Sequence, residues 1–156
     1  MMMINYRKAV LSDVEDILKL INVNAEKGLM LPRTRNTLYE GIREFIVAEF
    51  NGILIGVGSL HILWADLAEI RALAVLDDKR YQGIGNAIVD LLISEARELG
   101  CPEVFTLTYQ VEFFRKKGFQ LVAKEEMSQK VWKECINCVK FPNCDENAMT
   151  LVLVNK

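Results

Sequence analysis

The apolar positions of this chain recur with two different periods. Val14, Ile17, Leu18 and Ile21 fall at i, i+3, i+4 and i+7, one face of a helix. Ser12-Asp13-Val14-Glu15 ahead of them has the form of a capping box, and Gly28 ends the helix. A short strand is predicted before it, over Ile4–Lys8. After Pro32, Thr34–Glu44 reads as a second, more polar helix. Phe45–Phe50 is a strand, Asn51-Gly52 is a two-residue hairpin turn, and Ile53–Leu63 is the return strand. Leu67–Val75 follows closely, so these strands form an antiparallel meander. Ile84, Ile88, Leu91, Leu92 and Leu99 then make one stripe of a long helix that Gly100 closes. Val104–Thr108 is a strand reached through that helix, which predicts pairing parallel to Leu67–Val75. A short helix over Val111–Lys117, a strand from Gly118-Phe119 to about Ala123, and a last strand over Ala148–Val154 complete the order. The order predicts an α/β fold with a mixed sheet, as one domain over residues 1–156.

Composition narrows the class. A chain of 156 residues, 51% hydrophobic and 26% charged, fits an ordinary globular domain with a full core. Its formal net charge of −2 gives no overall field toward nucleic acid or anionic lipid. The start, Met1-Met2-Met3-Ile4-Asn5-Tyr6-Arg7-Lys8, lacks the apolar run of a signal peptide. The most apolar region, Gly52–Ala65, is too short to span a bilayer. A cytoplasmic protein is expected, with its four cysteines mostly reduced or metal-bound. Cys135, Cys138 and Cys144 form a Cys-x-x-Cys-x5-Cys cluster. Zinc, a disulfide and reduced thiols all remain open there, because no fourth ligand stands at short spacing. No metal is assigned.

The most informative stretch joins the third strand of the meander to the long helix. Arg80, Gly83 and Gly85 form an R-x-x-G-x-G pattern at the helix mouth, within Arg80-Tyr81-Gln82-Gly83-Ile84-Gly85-Asn86. Glycines there let phosphates approach the backbone, and the first free N–H groups of the helix face the negative charge. The bland alternative is an ordinary loop and helix start. This pattern resembles the acetyl-CoA pyrophosphate loop of the Gcn5-related N-acetyltransferase (GNAT) superfamily. The predicted element order is also similar to that fold: a mixed sheet of six or seven strands flanked by about four helices. Gly28-Leu-Met-Leu-Pro-Arg33, Phe45-Ile-Val-Ala-Glu49, Ala68-Glu-Ile-Arg-Ala-Leu-Ala-Val75 and Phe113-Phe-Arg-Lys-Lys-Gly-Phe119 resemble the acetyltransferase domain of N-acetylglutamate synthases. The likeness is to the short, stand-alone type, without the amino-acid-kinase domain of larger members.

The resemblance implies acetyl-CoA as donor, an amino acid as acceptor and a homodimer as assembly. Residues 80–86, with backbone N–H groups along Leu73, Ala74 and Val75, are then expected to bind the coenzyme. Glu69 is the candidate general base, and Arg71 shares its strand face by period-2 alternation; a solvated ion pair is the alternative. Arg33, in a loop after Pro32, matches the arginine that contacts the amino-acid carboxylate. Thr108, Tyr109 and Gln110 stand at a strand's C-terminal end, where α/β sites lie, with Tyr109 as candidate acid. Two departures stand out. Where many acetyltransferases have an acidic tyrosine, this chain has Phe114. Where some glutamate synthases have Thr-Thr-Arg, it has Thr108-Tyr109-Gln110, as the short members do. The expected activity is acetylation of the α-amine of L-glutamate, in arginine biosynthesis. Glutamine or another amine is the alternative acceptor, and a non-catalytic acyl-CoA-binding module is the alternative class. His61, the sole histidine, sits mid-strand and reads as structural.

Overall fold

The computed structural model describes residues 3–78, 82–123 and 146–153. Its elements are β1 (Asn5–Lys8), α1 (Val14–Glu26), α2 (Arg35–Glu40), β2 (Phe45–Phe50), β3 (Ile53–Trp64), β4 (Leu67–Val75), α3 (Ile84–Glu98), β5 (Glu103–Thr108), α4 (Val111–Lys116), β6 (Gln120–Val122) and β7 (Asn147–Val152). The strands form a seven-stranded sheet in the order β1-β2-β3-β4-β5-β7-β6. β4 pairs with β5 in parallel, while β1–β2, β2–β3, β5–β7 and β6–β7 are antiparallel, which makes the mixed sheet that the pattern predicts. The chain divides into two compact units, Met1–His61 with Ile70–Glu95, and Ile62–Glu69 with Ala96–Lys156.

In the first unit, α1 and α2 bury Val14, Ile17, Leu20, Ile21 and Leu38 against Phe45, Val47, Val57 and Ala74 of β2, β3 and β4. Gly56 and Gly58 flank Val57 on β3, so they face the opposite side of the sheet, where α3 lies. A Cβ at Gly56 would stand 2.6 Å from Ile84 Cγ2, and one at Gly58 would stand 2.8 Å from Ile88 Cγ2. The helix therefore lies on bare backbone. Its buried residues are Ile84, Ile88, Val89, Leu92, Ile93 and Ala96, and each large one contributes about 1.5–3 kcal/mol of burial. Leu91 and Leu99, assigned to the stripe by spacing, are instead 39% and 62% exposed. The true stripe is rotated, because the two glycines set which side of the helix comes nearest.

Local caps also differ from the pattern. The first helical turn is a short 3-10 segment, Leu11–Asp13, and it is Asp13 rather than Glu15 that accepts a backbone N–H, from Val10 at 2.8 Å. Glu15 pairs with Arg35. The predicted helix over Thr34–Glu44 breaks at Gly41 into α2 and a 3-10 turn, Ile42–Glu44, with Thr34 as N-cap. His61, on β3, has Nδ1 2.9 Å from Glu44 Oε2.

In the second unit, Leu67 of β4 and Phe105 of β5 form a small core with Leu63 and Leu107. β5 pairs along its whole length with β7, from Glu103↔Val152 to Thr108↔Asn147. Phe114 is buried and meets Phe113 and Phe119 edge to face, at centroid separations of 5.0 and 5.2 Å.

One ion network ties β1 to its neighbours. Arg7 donates to both carboxylate oxygens of Asp13, at 2.7 and 2.9 Å, and to Glu49 on β2 at 2.5 Å. The guanidinium holds the Asp13 carboxyl below its ordinary value of 3.8, against burial, which opposes the shift. A depressed native pKa stabilises the fold above the unfolded-state pKa, and the contribution is lost as pH falls through the native value. Asp13→Asn is expected to cost about 1–2 kcal/mol at neutral pH, with Arg7 partly exposed to screening solvent. Urea unfolding of both proteins checks this: the gap should hold down to the ordinary carboxylate range and close below it.

Candidate active site

The first unit carries the residues expected to bind the coenzyme. β4 leads toward the glycine loop, of which Gln82 and Gly83 are described and exposed, whereas Arg80 and Tyr81 lie outside the described residues. Gly83 has φ +83°, and a Cβ built there would meet nothing within 4 Å. Open space thus lies beside the first turn of α3, where Gly83 O accepts the Ala87 N–H at 3.1 Å. Such a helix start, with nothing among the described residues close to the Gly83 Cα on its side-chain side, fits a phosphate-bearing ligand. Gly85 is half-buried and Asn86 exposed. The Ile84 side chain is 3% exposed and turned into the core against Gly56, so its backbone alone faces the loop. The same holds for Ala74, which belongs to the α1–α2 core, while Leu73 and Val75 on either side of it are half-buried.

β4 is not a regular strand. Ala72 has φ +55°, a left-handed conformation that costs a residue with a Cβ about 1–3 kcal/mol. Burial alternates from Ala68 to Arg71, with Glu69 and Arg71 half-buried and Ile70 buried, and the alternation breaks at Ala72. The Arg71 carbonyl accepts the Ser59 hydroxyl at 3.1 Å.

The Arg33 loop is anchored at both ends of that residue. Its backbone N–H donates to Asn22 Oδ1 of α1 at 3.2 Å. Its guanidinium carbon stands 6.0 Å from the centre of the Phe45 ring, the outer reach of a cation–π contact. Phe45 is fully buried and in register with Ser59. Asn22, Ala25, Glu26 and Pro32 line an open cleft of about 320 Å³ beside this loop.

The second unit carries the remaining candidates. Glu69 lies in the β4–β5 ladder, which comprises Ala68↔Val104 and Glu69↔Phe105. At the C-terminal end of β5, Tyr109 is half-buried and Gln110 exposed. Thr108 is buried, and its hydroxyl oxygen accepts the Gln110 N–H at 2.8 Å, so it shapes the turn into α4. Phe114 packs in the aromatic cluster described above. The cluster of Cys135, Cys138 and Cys144 lies outside the described residues. Cys101 is buried, with its thiol toward the Glu103 carbonyl.

Sequence reasoning passed over Asn22, Ser59 and the pair Gly56 and Gly58. Gly-Val-Gly inside an apolar strand is a signal of close backbone approach, so the glycines were discoverable. Nothing local marks Asn22 or Ser59.

A seven-stranded mixed sheet whose fourth strand runs into a glycine-bearing loop and a long helix defines an acyl-group transferase scaffold. The Acetyltransferase (GNAT) family profile matches residues 11–119. The chain belongs to that family and is an N-acetyltransferase that uses acetyl-CoA as donor. It is 42% identical over 131 residues to an amino-acid acetyltransferase of Mycobacterium tuberculosis, covering 82% of this chain and 75% of the relative. It is 40% identical over 147 residues to an uncharacterised N-acetyltransferase of Chlorobaculum tepidum, covering 94% and 95%. Among solved structures, the N-acetylglutamate synthase of Neisseria gonorrhoeae, complexed with coenzyme A and N-acetyl-glutamate, superimposes with a TM-score of 0.87 at 28% identity. That match covers 98% of this chain and 36% of the larger synthase. Among the described residues, no helix is long and apolar enough to cross a membrane.

Proposed function

We propose that this protein transfers the acetyl group of acetyl-CoA to the α-amine of an amino acid, with L-glutamate as the acceptor. The observation that carries the reading is the anchored Arg33. An arginine fixed through its backbone by Asn22 and laid over a buried ring is preorganised to grip a carboxylate, and a guanidinium does so bidentately. Two comparisons support an amino-acid acceptor: the mycobacterial relative is named an amino-acid acetyltransferase, and the gonococcal synthase was solved with N-acetyl-glutamate. A place in arginine biosynthesis and a cytoplasmic location follow from this reading.

The reaction needs few parts. The acceptor arrives as an ammonium ion, and Glu69, directly or through a water, takes a proton from it. The free amine attacks the thioester carbon. The Leu73 N–H at the kinked strand stabilises the oxyanion that develops on the carbonyl oxygen. The carbon–sulfur bond then breaks, the amide forms, and the coenzyme thiolate takes a proton from Tyr109 or from water. Gly83 and its neighbours at the start of α3, with Arg80 and Tyr81, hold the coenzyme phosphates.

Thr108-Tyr109-Gln110 lacks an arginine at the β5 end, which favours a second acceptor, glutamine, whose side chain has no charge to neutralise. The deciding measurement is thiol release from acetyl-CoA against a panel of amino acids. Glutamate turning over at the highest kcat/KM supports the proposal, glutamine leading selects the second reading, and turnover of simple amines alone overturns both.

Arg33→Ala is expected to raise the amino-acid KM about 30-fold to 1000-fold, the equivalent of about 2–4 kcal/mol for a lost charged hydrogen bond, with the acetyl-CoA KM nearly unchanged. Steady-state kinetics in both substrates check this. Glu69→Gln is expected to lower kcat by about 10²–10⁴-fold. The loss should shrink as pH rises toward the amine's own pKa, where the acceptor no longer needs a base; a pH–rate profile of both proteins shows whether it does.

A further inference from the structure

We propose that Ser59 is a positioning residue for acetyl transfer: its buried hydroxyl holds the β4 backbone in the left-handed kink at Ala72 that presents the Leu73 N–H to the thioester oxygen. This rests on the function proposed above and adds a residue that touches neither substrate.

Ser59 is fully buried in a strand whose neighbours Ile55, Val57 and Leu60 are all buried and apolar. A hydroxyl in that setting is costly unless it is hydrogen-bonded, and Ser59 donates to the Arg71 carbonyl at 3.1 Å. That acceptor is not an arbitrary one. The Arg71 carbonyl carbon is one of the four atoms that define φ of Ala72. Fixing the Arg71 peptide plane therefore restrains the one torsion in β4 that a residue with a Cβ does not ordinarily adopt, φ +55°. On the other side of the kink the Leu73 side chain lies over the bare backbone of the preceding β3 residue, where a Cβ at Gly58 would stand 3.4 Å from Leu73 Cδ1. Consecutive residues of β3 thus meet the backbone before Ala72 and leave room for the side chain after it. Phe45, in register with Ser59, is fully buried as well. Without the brace, Ala72 relaxes toward extended backbone and the Leu73 N–H turns away from where charge develops. An oxyanion donor acts only when it is already aimed.

The test uses the full chain with Ser59→Ala, Ser59→Thr, Ala72→Gly and the Ser59→Ala/Ala72→Gly double variant. Should Ser59→Ala not fold, Ser59→Cys, a weak donor of similar size, replaces it. Ser59→Ala is expected to lower kcat about tenfold or more, part of the loss seen when an oxyanion donor is removed outright, with the coenzyme A Kd within about twofold of wild type because the phosphate loop is untouched. Ser59→Thr should restore kcat to within about threefold, since it keeps the donor. On the Ala72→Gly background the Ser59→Ala penalty should fall below about threefold, because glycine adopts positive φ without a Cβ to oppose it. The amide–α-proton coupling of Ala72, which depends on φ, should move toward its extended value in Ser59→Ala and stay in place in Ser59→Thr. An unchanged kcat and coupling with only a lower Tm makes Ser59 an ordinary core hydroxyl, and an equal penalty on both backgrounds also overturns the proposal. If the wild type acetylates no amine, the functional reading fails by itself, and the Ala72 coupling still decides what Ser59 does.

Discussion

The close approach of α3 to β3 is the constraint on which the proposed coenzyme loop depends. Gly56 and Gly58 remove the Cβ atoms that would hold the helix off the sheet, and Ile84 and Ile88 drop into the space. Ile84 is the first residue of α3. Packing it into the core therefore fixes the position of the helix start itself, and with it Gly83 and the open space beside it. A phosphate site made of backbone N–H groups has no side chain to reach out and adapt, so it is only as well placed as the helix that carries it. Here the first turn after the loop is packed directly against the bare backbone of β3.

β4 is held differently. It leaves regular geometry at Ala72, and just past its end the Leu76 N–H donates to the Ile55 carbonyl at 2.8 Å. Between those points the chain is shaped from β3, by a hydroxyl on one residue and bare backbone on the one before it. Strain of this kind persists only where the surroundings over-determine it. The ledger is local: a costly torsion at one residue, offset by a buried hydrogen bond and by packing of its neighbours. Arg33 follows a similar logic, with the backbone fixed by Asn22 and the charge resting over Phe45. Phe45 in turn faces Ser59 across the β2–β3 ladder. One row of buried residues thus underlies both the loop that bears Arg33 and the kink in β4.

Much of the fold was legible because the periodicities were unambiguous. The Asn51-Gly52 turn joins β2 and β3 with both residues at positive φ, and the crossover through α3 gives the parallel β4–β5 pair. The errors come from contacts made outside each segment or from a turn the chain must make. Spacing alone put Leu91 and Leu99 on the buried stripe, but spacing says nothing about which side of a helix comes closest to its partner. The capping box at Ser12 was correct in composition and misplaced, because Arg7 recruits Asp13 from another segment and Glu15 is drawn to Arg35. The long second helix broke at Gly41, where the chain must turn to enter β2.

The sequence by itself determined the family and the order of elements, and it supplied the candidates for the site: Glu69, Arg33, Arg71 and the glycine loop. Those follow from local chemistry, since residue type, period and short motifs are properties of neighbours along the chain. Only the tertiary structure decided that Ile84 and Ala74 face the core, that Thr108 spends its hydroxyl oxygen on Gln110, that Asn22 anchors the Arg33 loop, and that Ser59 holds the carbonyl before Ala72. Each of these pairings except Thr108 with Gln110 joins residues well separated in sequence, and a left-handed alanine inside a strand has no local signature. Its conformation is imposed by β3, so no reading of β4 alone could have found it.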